Sequence, residues 1–320
     1  MERTPEGSVV TVFGGNGFIG RSLVRQLVKG GYTVRVASRA PQKAASLQGV
    51  GGGSAARTGS VLPIYASVTD AQSVRAALQG AQAAINLVSI LTEKNGATFR
   101  QMNAEAPGTV AQQAAEAGVE RFVQVSAIGA SRHAPSHYGR SKAEGERLVR
   151  EAFGKAAILR PSVVFGPGDS FLTLFGLMAR VLPVLPVYFP RTHLQPVFVE
   201  NVARAAMLCL TQDAYAGRVF ELGGPDSLAM EDIMRFVAEA VGRTPRLFAV
   251  PEALAGLQAR VLEKLPGKVL TRDQLAMLSQ DNVVTTGAET LETLGIVPDS
   301  LYDVAPPYLS KIRALRTIRK

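Results

Sequence analysis

Near the N-terminus a β-branched run, Ser8-Val9-Val10-Thr11-Val12-Phe13, leads directly into Gly14-Gly15-Asn16-Gly17-Phe18-Ile19-Gly20. A stretch with Ile19, Leu23, Val24, Leu27 and Val28 on one helical face follows, Gly30-Gly31 stops it, and a second strand begins at Thr33. Strand, glycine turn, helix, strand is the unit that holds a dinucleotide by its pyrophosphate. Gly14 lets the strand turn sharply, Gly17 lets the backbone approach phosphate without a Cβ in the way, and Gly20 lets the helix pack closely on the sheet. The N–H groups at the helix start then face the anion, aided by the positive end of the helix dipole. The whole run from Gly14 to Gly20 is therefore assigned to cofactor binding.

The choice of dinucleotide falls at the end of the second strand, Val34-Arg35-Val36-Ala37-Ser38-Arg39. An NAD site usually places Asp or Glu there to accept from the ribose hydroxyls. This chain has Ser38 and Arg39, with Lys43 beyond. A carboxylate would repel a 2′-phosphate, whereas a hydroxyl and a guanidinium can bind one. The expected cofactor is NADPH in preference to NAD(H).

Strand and helix patterns alternate through the first half. That predicts an α/β fold of Rossmann type, a doubly wound parallel sheet covered on both faces, with a smaller, mostly helical C-terminal domain. The expected dinucleotide-binding domain is 1–167, completed by 197–223; the smaller domain takes 168–196 and 224–320. Within the first, Asp70 reads as an N-cap or near-cap, and Ala83–Val88 as a buried strand. A long helix is expected from about Phe99 to Ala117, then strands over Arg121–Ser126 and 156–165. Val197–Val199 and Val219–Leu222 are expected to return to the sheet or its margin, and Gly49–Ser60 reads as a loop.

Composition narrows the class. Apolar residues make up 47% of the 320, ample for a substantial core. The single cysteine, Cys209, in an apolar run, excludes an internal disulfide and suits a reducing compartment. Its simplest role is that of a small buried hydrophobe. The opening MERTPEG is too short and polar for a signal peptide, and the apolar stretch Phe171 to Phe189 is broken by Arg180, Pro183 and Pro186. Of the net charge of +9, Lys311, Arg313, Arg316, Arg319 and Lys320 supply five, with no acid beyond Asp303. A basic tail suits an acidic protein or anionic headgroups; nucleic acid is not expected, for no nucleic-acid motif or interleaved aromatics occur. His133, His137 and His193 lack metal-ligand company, and no metal is expected.

Tyr138 and Lys142 stand four apart, so on a helix they share a face. A protonated Lys142 near the phenol would lower the tyrosine pKa toward useful acid–base range. Ser126, at a strand end twelve residues before Tyr138, can hold a substrate carbonyl.

The glycine turn together with Ser126, Tyr138 and Lys142 resembles the extended short-chain dehydrogenase/reductase superfamily. The resemblance implies that tyrosine is the acid/base, that lysine also holds the nicotinamide ribose, and that serine orients substrate. It likewise assigns Asn86, Leu87 and Val88 to the cofactor. So it does Pro161, Ser162 and Val163, in the stretch Leu159–Pro167 that lies against the nicotinamide. An active member would be an NADP-dependent reductase, epimerase or dehydratase acting on a sugar nucleotide or another carbonyl; a nucleotide sensor is a third option.

A narrower resemblance covers most of the chain, on Val123–Ala130, Ala156–Asp169, Leu194-Gln195-Pro196-Val197-Phe198-Val199, Leu270–Leu275 and Asp281-Asn282-Val283-Val284. These segments look like the nucleotide-binding accessory subunits of respiratory complex I, NADH:ubiquinone oxidoreductase, in their bacterial form. That resemblance implies tight NADPH binding without turnover and a role in assembly or stability. It also implies core-subunit partners near the junction of the peripheral and membrane arms. The location would be cytoplasmic, peripheral on the cytoplasmic face of the bacterial inner membrane. Tyr138 and Lys142 would then hold nucleotide, and Phe171–Phe189 could pack against a partner or the membrane surface.

Overall fold

The computed structural model describes residues 8–47, 59–263 and 270–312. The apolar runs read from the sequence become strands β1 (Val9–Phe13), β2 (Thr33–Ser38), β3 (Ser60–Tyr65), β4 (Ala83–Asn86), β5 (Arg121–Val125) and β6 (Ala157–Pro161). With Val219–Leu222 they form one sheet in the order Val219–Leu222, β6, β5, β4, β1, β2, β3, parallel throughout. β4 is buried at every residue, as a strand covered on both faces must be. The flanking helices are α1 (Phe18–Lys29), α2 (Ala71–Leu78), α3 (Ala106–Glu116) and α4 (His137–Ala152), with a fifth over Val199–Thr211. α1 packs on Val199–Thr211, while α2, α3 and α4 pack in succession. Phe13, Ala84 and Phe122 from the sheet meet Val74, Leu78 and Val110 from the helices in one apolar cluster. This is the doubly wound α/β fold that the alternating pattern predicts.

The chain divides into two compact units. The first takes the described residues of Met1–Pro161, Val199–Leu222 and Gly287–Ile296; the second takes those of Ser162–Phe198, Gly223–Thr286 and Val297–Lys320. The crossing thus falls at Pro161, ahead of residue 167, and Gly287–Ile296 rejoins the first unit. Arg218 explains that return. Its guanidinium binds both carboxylate oxygens of Glu289 and lies over the Tyr215 and Phe220 rings.

The second unit is mostly helical, with helices over Phe171–Val181, Met230–Ala240, Glu252–Leu262 and Arg272–Leu278. Leu172 and Ala179 bury one face of the first against Ile233, Val237 and Leu309. Asp169 binds the Leu172 amide (2.7 Å) and accepts the Tyr308 hydroxyl (2.7 Å), tying both ends of this unit's chain together. The two segments that set the narrower resemblance apart are also joined. Asn282 N donates to His193 O at 2.8 Å, and Val284 N donates to Gln195 Oε1 at 2.9 Å.

Three expectations shift. The 156–165 run is two strands, because pairing with β5 and Val219–Leu222 ends at Pro161 and Val164–Phe165 pairs instead with Val197–Phe198. Val197–Phe198 therefore belongs to the second unit and does not return to the main sheet. The helix from Phe99 opens with a π-helical turn, Arg100–Glu105, before α3. Arg313, Arg316, Arg319 and Lys320 of the basic tail, residues 49–58 of the expected loop and the first seven residues lie outside the described residues. Among the described residues no helix is long and apolar enough to cross a membrane.

Candidate functional site

The strand order reverses between β1 and β4, and in open α/β sheets the crevice beyond the carboxyl ends of such strands is the ligand site. Gly14 leaves β1 at φ +81°, a left-handed conformation that a side chain would strain. Its amide donates to Ala37 O at 3.1 Å. A Cβ there would stand 3.3 Å from Val88 and 3.4 Å from Leu87, so the turns after β1 and β4 are packed together. Gly17 is the N-cap of α1 and supplies no side-chain acceptor to the first-turn amides, which leaves them for an anion. Gly20 is buried against backbone. A Cβ on it would lie 2.4 Å from Gly14 O and 2.6 Å from Gly15 Cα. The close approach is thus to the turn itself rather than to the sheet, a correction to the role expected from sequence. Arg21 donates to Asn16 O at 3.4 Å, which brings a guanidinium beside the turn; its place directly after the last glycine was the available signal.

Asn16 ties the turn to the end of β2. Its Nδ2 donates to Ser38 Oγ (2.8 Å) and Ala40 O (3.2 Å), and its Oδ1 is buried with no partner among the described residues. Arg39 is exposed and forms no ion pair among the described residues; Lys43 is exposed on the 3-10 turn Pro41–Leu47. Asn86 is fully buried and spends its side chain on the protein, donating to Gln124 Oε1 and accepting from Val88 N, both at 3.0 Å. It shapes the crevice by fixing the turn through Leu87 and Val88.

Ser126 follows β5 with its hydroxyl buried and unpartnered among the described residues. α4 begins at the N-cap Ser136, which accepts from Gly139 N at 3.0 Å, and places Tyr138, Lys142 and Glu146 on its buried face. Lys142 Nζ donates to Val125 O at 2.9 Å, beside Ser126. The Tyr138 hydroxyl hydrogen-bonds the Ser89 hydroxyl, and Phe99 meets its ring edge-on with centroids 6.1 Å apart. Burial pushes Tyr138 up to about 12. The expectation that Lys142 brings this phenol down is therefore corrected: desolvation dominates. Pro161 closes β6 and its carbonyl accepts from Ile128 N at 3.0 Å. Ser162 and Val163 fall in the second unit, where the one Ser162 hydroxyl hydrogen is shared between Asn282 Oδ1 (2.7 Å) and O (2.9 Å).

The sequence reading missed the shell behind these groups. Asn103, in the π-helical turn, accepts from Ser89 Oγ (3.0 Å) and Ile90 N (2.9 Å) and donates to Ile90 O (3.0 Å), which holds Ser89 at Tyr138. Glu146 is 3% exposed and binds Arg160 at 2.7 and 2.9 Å, while Arg160 also reaches Glu221 at 3.4 Å. Its position four residues beyond Lys142 on the same helix face was the usable clue. Burial pulls Lys142 down to about 8, and the Glu146 carboxylate pushes back up.

A lysine whose folded pKa lies below its unfolded value destabilises the fold while both states are charged. That penalty shrinks as pH rises above the folded pKa. Between pH 7.5 and 9 this contributes about 1 kcal/mol, on the order of 2–4 °C in Tm. Thermal melts should therefore rise less over this range in Lys142→Met than in the natural chain. Equal slopes would show that Lys142 is not desolvated.

The NAD dependent epimerase/dehydratase family profile matches residues 10–223. The chain belongs to that family. Within this epimerase/dehydratase fold, the glycine turn, the uncapped start of α1 and the Asn16 Oδ1 and Ser126 Oγ atoms without a partner among the described residues fit a nicotinamide dinucleotide. The chain is 30% identical over 319 residues to NADH dehydrogenase (ubiquinone) 1 alpha subcomplex subunit 9, mitochondrial, of Arabidopsis thaliana, covering 96% of this chain and 78% of the relative. It is 31% identical over 252 residues to ceramide reductase of Caulobacter vibrioides, covering 78% and 75%. Of solved structures, MoeE5 in complex with UDP-glucose and NAD shares the fold, with a TM-score of 0.69 at 20% identity over 95% of this chain and 97% of that one.

Proposed function

We propose that this protein is an NADPH-holding accessory subunit of respiratory complex I and does not turn the nucleotide over. One observation carries the reading: the likeness to the mitochondrial subunit spans 96% of the chain, through the helical region beyond residue 223 where the family profile ends. Ser38 and Arg39, in place of a carboxylate at the end of β2, favour NADPH over NADH. Bound NADPH would offer a hydride, which in this reading it keeps. Burial raises the pKa of the Tyr138 hydroxyl, which agrees with a holding role. In this reading Tyr138 and Lys142 hold the nicotinamide ribose. The subunit docks on core subunits where the peripheral arm meets the membrane arm, on the cytoplasmic face of the bacterial inner membrane.

A second reading, reduction of a carbonyl substrate, is favoured by one feature: the buried Ser126 hydroxyl, without a partner among the described residues, which a substrate oxygen could accept from. The likeness to ceramide reductase agrees with it. Deleting the gene separates the two. Loss of assembled complex I, with no NADPH oxidation by the purified chain against carbonyl compounds, supports the subunit. Normal complex I levels together with turnover abolished in Tyr138→Phe support the reductase.

A further inference from the structure

The hydrogen bonds at the end of β2 have a direction. Ala40 O can only accept, so the Asn16 amide nitrogen must face it, and the same nitrogen lies 2.8 Å from Ser38 Oγ. Ala40 N donates to Ser38 Oγ as well, at 3.3 Å. Two donors therefore fill the acceptor sites of this hydroxyl, and its one hydrogen is left to be given elsewhere. A 2′-phosphate is a pure acceptor with no hydrogen to offer once doubly ionised, whereas a 2′-hydroxyl can donate or accept. A serine held as a donor gains about twice as much from the charged phosphate as from a neutral hydroxyl, and a serine free to rotate discriminates less.

We infer that Asn16 is a specificity-determining positioning residue: it locks the Ser38 hydroxyl as a donor toward the 2′-phosphate of NADPH. This rests on the NADPH reading above and deepens it. The role differs from the one that the glycine motif assigns to this position. Asn16 lies inside the phosphate turn, yet its side-chain nitrogen reaches across to β2 rather than into the turn.

The test is calorimetric titration of the purified chain with NADPH and with NADH, because a merely structural role would weaken both alike. Ser38→Ala should raise the NADPH Kd about tenfold or more and leave the NADH Kd within about twofold. Asn16→Ala should lower the NADPH-to-NADH preference at least about fivefold, and Ser38→Ala/Asn16→Ala should lower it no further than Ser38→Ala alone. Asn16→Ser, too short to reach both acceptors, should behave the same and serves if the alanine variant does not fold. An unchanged preference in the Asn16 variants, or effects that add fully in the double variant, overturns the inference while leaving the NADPH reading standing. That reading fails separately: if the natural chain shows no preference and Arg39→Gln changes nothing, both fall.

Discussion

Gly20→Ala should abolish nucleotide binding and destabilise the chain by about 2–4 kcal/mol. The added methyl would sit 2.4 Å from Gly14 O and 2.6 Å from Gly15 Cα, both backbone atoms that cannot swing aside. Something must move: either α1 retreats from the sheet, which opens the packing of Leu23, Val24 and Leu27, or the turn deforms. Each escape moves the first-turn amides away from the anion they serve. The expected result is a loss of NADPH affinity beyond about a hundredfold, with a Tm lowered by several degrees, by calorimetry and thermal melting. Gly80→Ala gives the contrast. Its φ of +68° strains the backbone, but nothing lies within 4 Å of its Cβ, so it should lose stability and keep affinity. Normal affinity in Gly20→Ala would mean the turn does not hold the pyrophosphate.

The second large effect lies behind the site. Arg160→Leu strips the guanidinium from Glu146, which is 3% exposed, and from Glu221, which is 6% exposed. Breaking a buried ion pair from one side leaves buried charge with weaker compensation, at a cost of about 3 kcal/mol. Arg150, 3.4 Å from Glu146, offsets only part of this because its own side chain is half exposed. Exchanging all three charged residues for apolar ones should recover most of the loss, since the desolvation of every ion is then removed. Urea unfolding of the single and triple variants checks both statements. A single variant within 0.5 kcal/mol (on the order of a surface change) would mean the triad carries no such burden.

Legibility in the sequence followed the range of the interaction. The glycine turn was readable because its tightest constraints are local: the left-handed φ at Gly14 and the missing Cβ at Gly20, which would meet Gly14 and Gly15, lie within a few positions of one another. Asp70 was readable for the same reason, and it caps α2 by accepting from Gln72 N and Ser73 N. The Tyr138–Lys142 face was read from helix spacing, yet the direction of the tyrosine's pKa was not, because burial depends on Phe99 and Ser89, far away in sequence. Arg160 and Glu221 lie 14 and 75 residues from Glu146, and no periodicity links a charge on a helix to charges on two strands. The π-helical turn at Arg100–Glu105 hid behind an unbroken helical pattern. Asn103, polar amid buried neighbours, was its one mark.

The chain isolated in native form, in mild detergent, and examined by mass spectrometry tests the central claim most directly. The account predicts NADPH released on denaturation, together with complex I core subunits in the same assembly. A chain that carries no dinucleotide, or that is isolated apart from those subunits, contradicts it.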